Sequence, residues 1–248
     1  MPKIEIIIDG KEIKVEKGTT ILEAAEELGI YIPTLCYHES LTPYGACRLC
    51  TIEITQRGRA KSKMVTACNY PIKEEIEVKT STERVKRVRK MIVELLLARC
   101  PGVKIIQDLA EEMGIKEPRF KKEDDDCILC GLCVSACSEM GMNAISFVGR
   151  GVDREVDAPF LAAPDACIGC GLCAYVCPTT AIEIEEREGV REIKKFHVSL
   201  PLEKCKVCGN FFAPKVEIDW IAKKLGLPRE NFEVCPTCKL SQLLLKIV

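Results

Sequence analysis

Histidine is almost missing from this chain: His38 and His197 are the only two in 248 residues. Imidazole acid-base chemistry therefore has little to work with, and no Ser-His-Asp set, paired-carboxylate constellation, phosphate loop or G-x-G-x-x-G turn stands in for it. No catalytic residues are expected. Long hydrophobic runs are absent too. Without eighteen consecutive apolar residues no transmembrane segment is expected, and Met1-Pro2-Lys3-Ile4-Glu5 lacks the charged-then-apolar layout of a secretory signal. The chain reads as cytoplasmic. Neither sign of charge is in excess, with 36 Lys and Arg against 37 Asp and Glu, so nucleic acid is not a favoured partner. Amides are scarce, four Asn and three Gln beside 29% charged residues, a bias found in heat-adapted proteins. With 47% hydrophobic residues the chain is long enough for two or three small domains.

What it has instead is cysteine, seventeen in all. In a reducing compartment such a count points to metal rather than disulfides, and spacing decides. Cys127-Ile-Leu-Cys130-Gly-Leu-Cys133-Val-Ser-Ala-Cys137 and Cys167-Ile-Gly-Cys170-Gly-Leu-Cys173-Ala-Tyr-Val-Cys177-Pro178 are two copies of C-x2-C-x2-C-x3-C. That is the spacing of bacterial two-cluster ferredoxins, where three cysteines of a run hold one [4Fe-4S] cube and the fourth ligates the other. Cys127, Cys130, Cys133 and Cys177 are assigned to one cube. Cys167, Cys170, Cys173 and Cys137 are assigned to the other. A disulfide framework does not need two identical registers, and zinc usually takes pairs of knuckles rather than a triplet plus one. Gly131 and Gly171 occupy matching places, where a missing Cβ lets the backbone curl around the cluster. Ile128, Leu132, Ile168 and Leu172 supply an apolar cover.

Upstream, Ile4–Ile8 and Glu12–Val15 flank Asp9-Gly10, a hairpin signal. Thr19 or Thr20 caps a helix over Ile21–Leu28 that Gly29 ends, and Ile76–Thr80 is a late strand. These elements suggest a β-grasp arrangement around a cysteine loop. Cys36, Cys47, Cys50 and Cys68 follow C-x10-C-x2-C-x17-C, related to but distinct from the plant-type ferredoxin spacing. Four thiolates suit a [2Fe-2S] rhomb, with a four-cysteine zinc loop as the alternative. His38 is read as a neighbour of the site or a surface residue rather than a ligand.

The segment Gly45-Ala46-Cys47-Arg48-Leu49-Cys50, the strand Thr51–Ile54 after it, and Cys68 shortly before Pro71 resemble the N-terminal iron-sulfur region of the NADH:quinone oxidoreductase large peripheral subunit. They also resemble the diaphorase iron-sulfur subunits of NAD-linked hydrogenases. The double-cysteine run, with Ala144–Gly151 and Val156–Phe160 between its copies, is similar to the double-cubane region of the same families and of iron-only hydrogenases. The resemblance covers most of residues 1–200 in order. It implies an electron relay beside a flavin- and NAD(P)H-binding subunit and a further iron-sulfur or thioredoxin-like [2Fe-2S] subunit, with ferredoxin or a hydrogenase at the far end and electron bifurcation as a setting. The catalytic cluster domain of iron-only hydrogenases has no counterpart here. The family's extra cluster, bound by one histidine and three cysteines, has none either, because Cys100 is the only cysteine between Cys68 and Cys127 and no histidine lies nearby. Cys100 is read as a buried thiol.

Between these sites, Ser81 is expected to cap a helix to about Ala98. Its apolar face would be Val85, Val88, Ile92, Leu95 and Leu96, opposite Arg84, Lys86, Arg87 and Lys90. A second helix is expected over Val103–Met113, and Lys121–Asp126 reads as a solvated lead-in. Ala181–Glu186 and Val190–Lys195 form a hairpin around Glu188-Gly189. Finally, Cys205, Cys208, Cys235 and Cys238 make two C-x2-C knuckles flanking a short helix at Asp219–Leu225. Four thiolates in that pattern suit structural zinc, with a single iron or another iron-sulfur cluster as alternatives. So small a segment needs a metal staple. Leu240–Val248 is expected to be a partner-docking strand or helix.

The expected fold is α+β in modules. A β-grasp [2Fe-2S] ferredoxin-like domain (1–80) leads through a helical linker (81–120) to a double-[4Fe-4S] bacterial ferredoxin-like domain (121–200) and a zinc-ribbon-like four-cysteine module (201–248). The expected function is an electron-transfer subunit of an NAD(P)H-linked flavin oxidoreductase, not catalytic alone. The alternatives are an independent polyferredoxin carrier and a zinc-rich interaction protein.

Overall fold

The computed structural model describes residues 3–57 and 60–244. The chain divides into two compact units, residues 1–132 and 133–248, and each is taken by itself.

In the first unit β1 (Lys3–Ile8) and β2 (Lys11–Glu16) form the hairpin. Asp9 and Gly10 both take positive φ, 47° and 83°, the left-handed pair that a two-residue turn with strand-matching twist requires. Every second residue faces inward, which buries Ile6, Ile8 and Val15. Thr20 rather than Thr19 caps α1 (Ile21–Glu27): its hydroxyl accepts the Glu23 N–H at 3.2 Å, and the Glu23 carboxylate accepts the Thr20 N–H at 2.7 Å. The sheet is completed by β3 (Thr51–Gln56), β4 (Lys63–Thr66) and β5 (Ile76–Lys79). The strand order is β2-β1-β5-β3-β4, with β1 and β5 parallel and the other pairs antiparallel. This is the β-grasp arrangement, with α1 contributing Ile21 and Leu22 to the core that Ile52, Ile54, Ile72 and Val78 fill. The sequence reading did not anticipate β4, a four-residue edge strand with only Thr66 buried.

α2 (Glu83–Arg99) is capped by Thr82, not Ser81: the Thr82 hydroxyl accepts the Val85 N–H at 3.2 Å. Its inward face also differs from the one expected. Val85, Arg89, Val93, Leu97 and Ala98 are buried, together with Glu94, whereas Leu95 is 48% exposed. Packing against β3 and α3 (Lys104–Glu112) selects this face, and its two charged members are hydrogen-bonded to the protein. A face drawn from hydrophobicity alone cannot contain them.

The second unit opens with α4 (Leu132–Glu139). A short hairpin follows, β6 (Ser146–Val148) with β7 (Glu155–Asp157), and then α5 (Leu172–Tyr175). A four-stranded antiparallel meander, in order β11-β10-β9-β8, comprises β8 (Glu185–Arg187), β9 (Val190–Ile193), β10 (Val198–Lys204) and β11 (Phe211–Pro214). Glu188 and Gly189 turn the first hairpin with φ of 51° and 80°. β10 runs through residue 200, so that hairpin and the C-terminal cysteine segment share one sheet. α6 (Lys215–Leu225) begins four residues before the expected helix and buries Ile218 and Ala222. α7 (Pro236–Leu244) accounts for part of the expected terminal element, and residues 245–248 lie outside the described residues. Among the described residues no helix is long and apolar enough to cross a membrane.

Candidate metal centres

No two of the seventeen cysteines join in a disulfide. In the first unit Cys36, Cys47, Cys50 and Cys68 are all buried. The chain reaches them by different routes: Cys36 and Cys47 stand in loops, Cys50 directly precedes β3, and Cys68 sits in a single turn, Ala67–Asn69, after β4. The binding loop needs left-handed backbone at Gly45 (φ 70°) and accepts it at Arg48 (φ 61°). The Cys47 N–H donates to the Cys36 sulfur at 3.3 Å. Side-chain hydrogen bonds connect Cys36 to Cys47 and Cys68, and Cys68 to Cys50. This sharing separates the thiols. Bonds from Cys47 and Cys68 pull Cys36 down to about 2, and the bond with Cys68 lowers Cys50 to about 7. Their partners Cys47 and Cys68 are pushed up. Four buried sulfurs joined by hydrogen bonds are a soft donor set that fits iron-sulfur chemistry. His38 stands apart: its Nδ1 accepts the Ser40 N–H at 3.2 Å.

The two cysteine repeats share their left-handed backbone positions. Leu129 and Gly131 take φ of 54° and 80°, and their counterparts Gly169 and Gly171 take 71° and 79°. Each run therefore reverses twice around its first cysteines, then enters a helix at Leu132 or Leu172. Glycine at 131 and 171 was legible as a curling position. The left-handed leucine at 129 was not.

In the second unit Cys137, Cys167, Cys170 and Cys173 line one cavity, whose other walls include Met142, Ile145, Ile168, Leu172 and Phe196. Cys137 reaches it from α4, forty positions before its counterpart Cys177 in the second repeat, and its sulfur accepts the Ala144 N–H at 3.2 Å. Burial raises Cys167 and Cys170 and pushes Cys173 up to about 12. Three thiols that resist ionisation, gathered with a fourth cysteine in an apolar pocket, fit a centre whose metal supplies the compensating positive charge. Arg191, which no sequence pattern marked, donates to the Gly169 carbonyl at 2.6 Å and pairs with Glu186 at 2.6 Å, holding the loop between Cys167 and Cys170.

Cys127 and Cys130 belong to the first unit, Cys133 and Cys177 to the second. Cys127 is held on both sides of its backbone. The Asp125 carboxylate accepts its N–H at 2.9 Å, and Arg99 Nε donates to its carbonyl at 2.8 Å while Arg99 Nη2 bonds Asp125 at 2.6 Å. Asp125 thus departs from the solvated lead-in expected for residues 121–126. Cys100 is fully buried, and burial pushes its thiol up to about 12. Cys130 and Cys133 are buried, and the Cys177 sulfur lies 3.6 Å from the Thr179 hydroxyl.

The sulfurs of Cys205, Cys208, Cys235 and Cys238 all lie within 4.8 Å of one another, with Cys208 and Cys235 3.9 Å apart. A tetrahedral ion with metal-sulfur bonds of about 2.3 Å sets its ligands about 3.8 Å apart, the bond length times about 1.63. The first pair stands at the β10–β11 turn, where Gly209 takes φ 75°; the second opens α7. N–H groups of Cys235 and Val207 donate to the Cys205 sulfur at 3.3 and 3.4 Å. These and the Cys208 N–H bring Cys205 down to about 6. Bonds with Cys235 and Cys208 push Cys238 up to about 12.

Comparison with known proteins follows the same divisions. The 2Fe-2S iron-sulfur cluster binding domain matches residues 2–83. Two 4Fe-4S dicluster domain families match residues 121–184 and 166–213. The NADPH-Fe(3+) oxidoreductase subunit alpha of Geobacter sulfurreducens is 37% identical over 180 residues, covering 62% of this chain and 21% of the relative. The NADH-ubiquinone oxidoreductase 75 kDa subunit of Reclinomonas americana is 33% identical over 179 residues, covering 62% of this chain and 25% of the relative. The chain thus spans about a fifth to a quarter of these curated relatives. Among solved structures, a chain of the NAD+-reducing [NiFe]-hydrogenase in the H2-reduced state aligns with a TM-score of 0.54 and 31% identity, covering 63% of this chain and 75% of that one.

Proposed function

Because the chain belongs to the family of iron-sulfur electron-transfer subunits found in NAD(P)H oxidoreductases and NAD+-reducing hydrogenases, we propose that it relays single electrons between a flavin- and NAD(P)H-binding subunit and a second redox partner. The cavity formed by Cys137 with Cys167, Cys170 and Cys173 carries this reading, because ligands so far apart in sequence meet in an apolar pocket with no imidazole, carboxylate or amine among its walls. Cys36, Cys47, Cys50 and Cys68 hold a [2Fe-2S] rhomb. Cys127, Cys130, Cys133 and Cys177 hold one [4Fe-4S] cube, and Cys167, Cys170, Cys173 and Cys137 the other. Bound clusters supply one-electron chemistry at potentials set by charge, hydrogen bonds and exposure.

The protein's own part is to hold the thiolates, exclude water and place fixed charges. The second partner is a further iron-sulfur or thioredoxin-like [2Fe-2S] subunit leading to ferredoxin or a hydrogenase, in the cytoplasm, and electron bifurcation fits such an assembly. Cys205, Cys208, Cys235 and Cys238 hold one ion, for which zinc is the reading, since their sulfur separations suit a single tetrahedral ion better than a cluster. Anaerobic purification from the native host with metal analysis tests all of this. About ten irons, one zinc and a flavoprotein at fixed stoichiometry are expected. A carrier purified without partners would reject the subunit reading, and a colourless protein would reject any redox role.

A further inference from the structure

Arg89 lies in the middle of α2, 9% exposed. Glu94, the other buried charge of this helix, is neutralised by Arg119. Among the described residues Arg89 makes no ion pair of its own. Its Nη2 donates to the Thr51 carbonyl at 2.9 Å, and its Nε is buried with no acceptor. Thr51 is the residue after Cys50, so the guanidinium is tied to the backbone beside a fully buried sulfur ligand. The charged and titratable groups that act on it are Cys50, Asp9 and Tyr31. A guanidinium stays protonated even when buried, and a cation removed from water without a counter-charge is strongly unfavourable.

The Asp9 carboxylate is taken up by the Thr80 N–H and hydroxyl rather than paired with Arg89, so the close counter-charge still missing is the one that the neighbouring cysteines would carry. Four thiolates and two sulfides against two ferric ions leave two net negative charges, and reduction by one electron adds a third. We propose that Arg89 is the built-in counter-cation of the [2Fe-2S] centre at Cys36, Cys47, Cys50 and Cys68, holding its reduction potential up by favouring the more negative reduced state. Arg89 is a positioning residue: it acts through charge and through the Thr51 carbonyl, not as a ligand. The inference rests on the rhomb assignment made above. It also accounts for an arginine on the inward face of a helix whose other basic residues, Arg84, Lys86, Arg87, Lys90 and Arg99, lie outside its buried face.

The test is an EPR-monitored redox titration of the anaerobically purified protein, with dithionite as reductant, comparing wild type, Arg89→Gln and Arg89→Lys. At an effective dielectric of about 20, a unit charge about 12 Å away changes an equilibrium by roughly tenfold, and a nearer one by more. For a one-electron couple, tenfold is about 59 mV. The glutamine variant should therefore titrate about 59 mV lower with its rhomb signal intact, while the lysine variant, which keeps the charge, stays near wild type. An unchanged midpoint in Arg89→Gln overturns the proposal. Should Arg89→Gln fail to retain the rhomb, Arg89→Lys decides: a midpoint near wild type supports the charge, and a drop of the full tenfold overturns it. A wild-type protein with no rhomb signal removes the cofactor assignment itself, an outcome distinct from an unshifted midpoint.

Discussion

The Glu94 carboxylate takes three hydrogen bonds from one residue, from the backbone N–H, Nε and Nη2 of Arg119, all at 2.7–2.8 Å. These bonds hold it well below its ordinary value of 4.5, at about 2. A depressed carboxyl stabilises the fold above its unfolded value and loses that contribution as pH falls toward the folded one. Glu94→Gln should therefore lower the melting temperature at pH 7, and the gap to wild type should begin to narrow once pH drops below about 4.5. Paired thermal melts across that range check it; a gap independent of pH would mean that packing, not charge, is what the substitution removes. None of this was visible in the sequence, where Glu94 and Arg119 are merely two charges 25 positions apart. The same holds for Arg99 and Asp125 around Cys127, for Arg191 at Gly169 and for Arg89. Side-chain partners distant in sequence have no periodicity to announce them, and each was read as solvated surface or not singled out at all. The cysteines were legible because a metal cluster demands several soft donors at fixed local spacing.

At the scale of elements, legibility followed local chemistry. The Asp9-Gly10 hairpin, the helix beginning after Thr20 and the turn at Glu188-Gly189 all rest on interactions within a few residues and form where expected, although β8 keeps only Glu185 and Glu186 of the expected Ala181–Glu186 strand. The inward face of α2 and the edge strand β4 depend on what packs beside them, and there the sequence misled or was silent. The loop between Cys167 and Cys170 combines both kinds of constraint. Gly169 takes φ 71°, and a Cβ there would stand 2.7 Å from the Leu200 side chain on β10 and 3.0 Å from Pro214 at the end of β11. Gly169→Ala should cost about 1–2 kcal/mol from the backbone alone, and displacing β10 adds to it. The expected readout is a lower melting temperature with a diminished signal from the second cube and an unaltered rhomb signal. An alanine variant with wild-type occupancy would show that the loop absorbs the Cβ freely. Leu129, at the equivalent place in the first repeat, already carries a side chain in this conformation, so the two loops meet different surroundings.

For the whole molecule the decisive question is how the repeats share their ligands. Cys137 ends the first run in sequence yet lines the cavity of Cys167, Cys170 and Cys173. Cys137→Ser should therefore damage the centre held by the second run and spare the one begun by Cys127, an outcome that EPR on the purified variant separates. Loss of only the Cys127 centre would contradict crossed ligation.

The sequence by itself determined that a 2Fe-2S domain precedes the 4Fe-4S dicluster region, because ligand spacing, turn glycines and helix caps are short-range. It also determined the β-grasp start, through alternation and one hairpin turn. Only the tertiary structure decided which charges stand beside the cysteines and which face of α2 turns inward. Those outcomes depend on groups tens of residues apart competing for the same small volume, and burial settles that competition by making every unpaired polar atom costly.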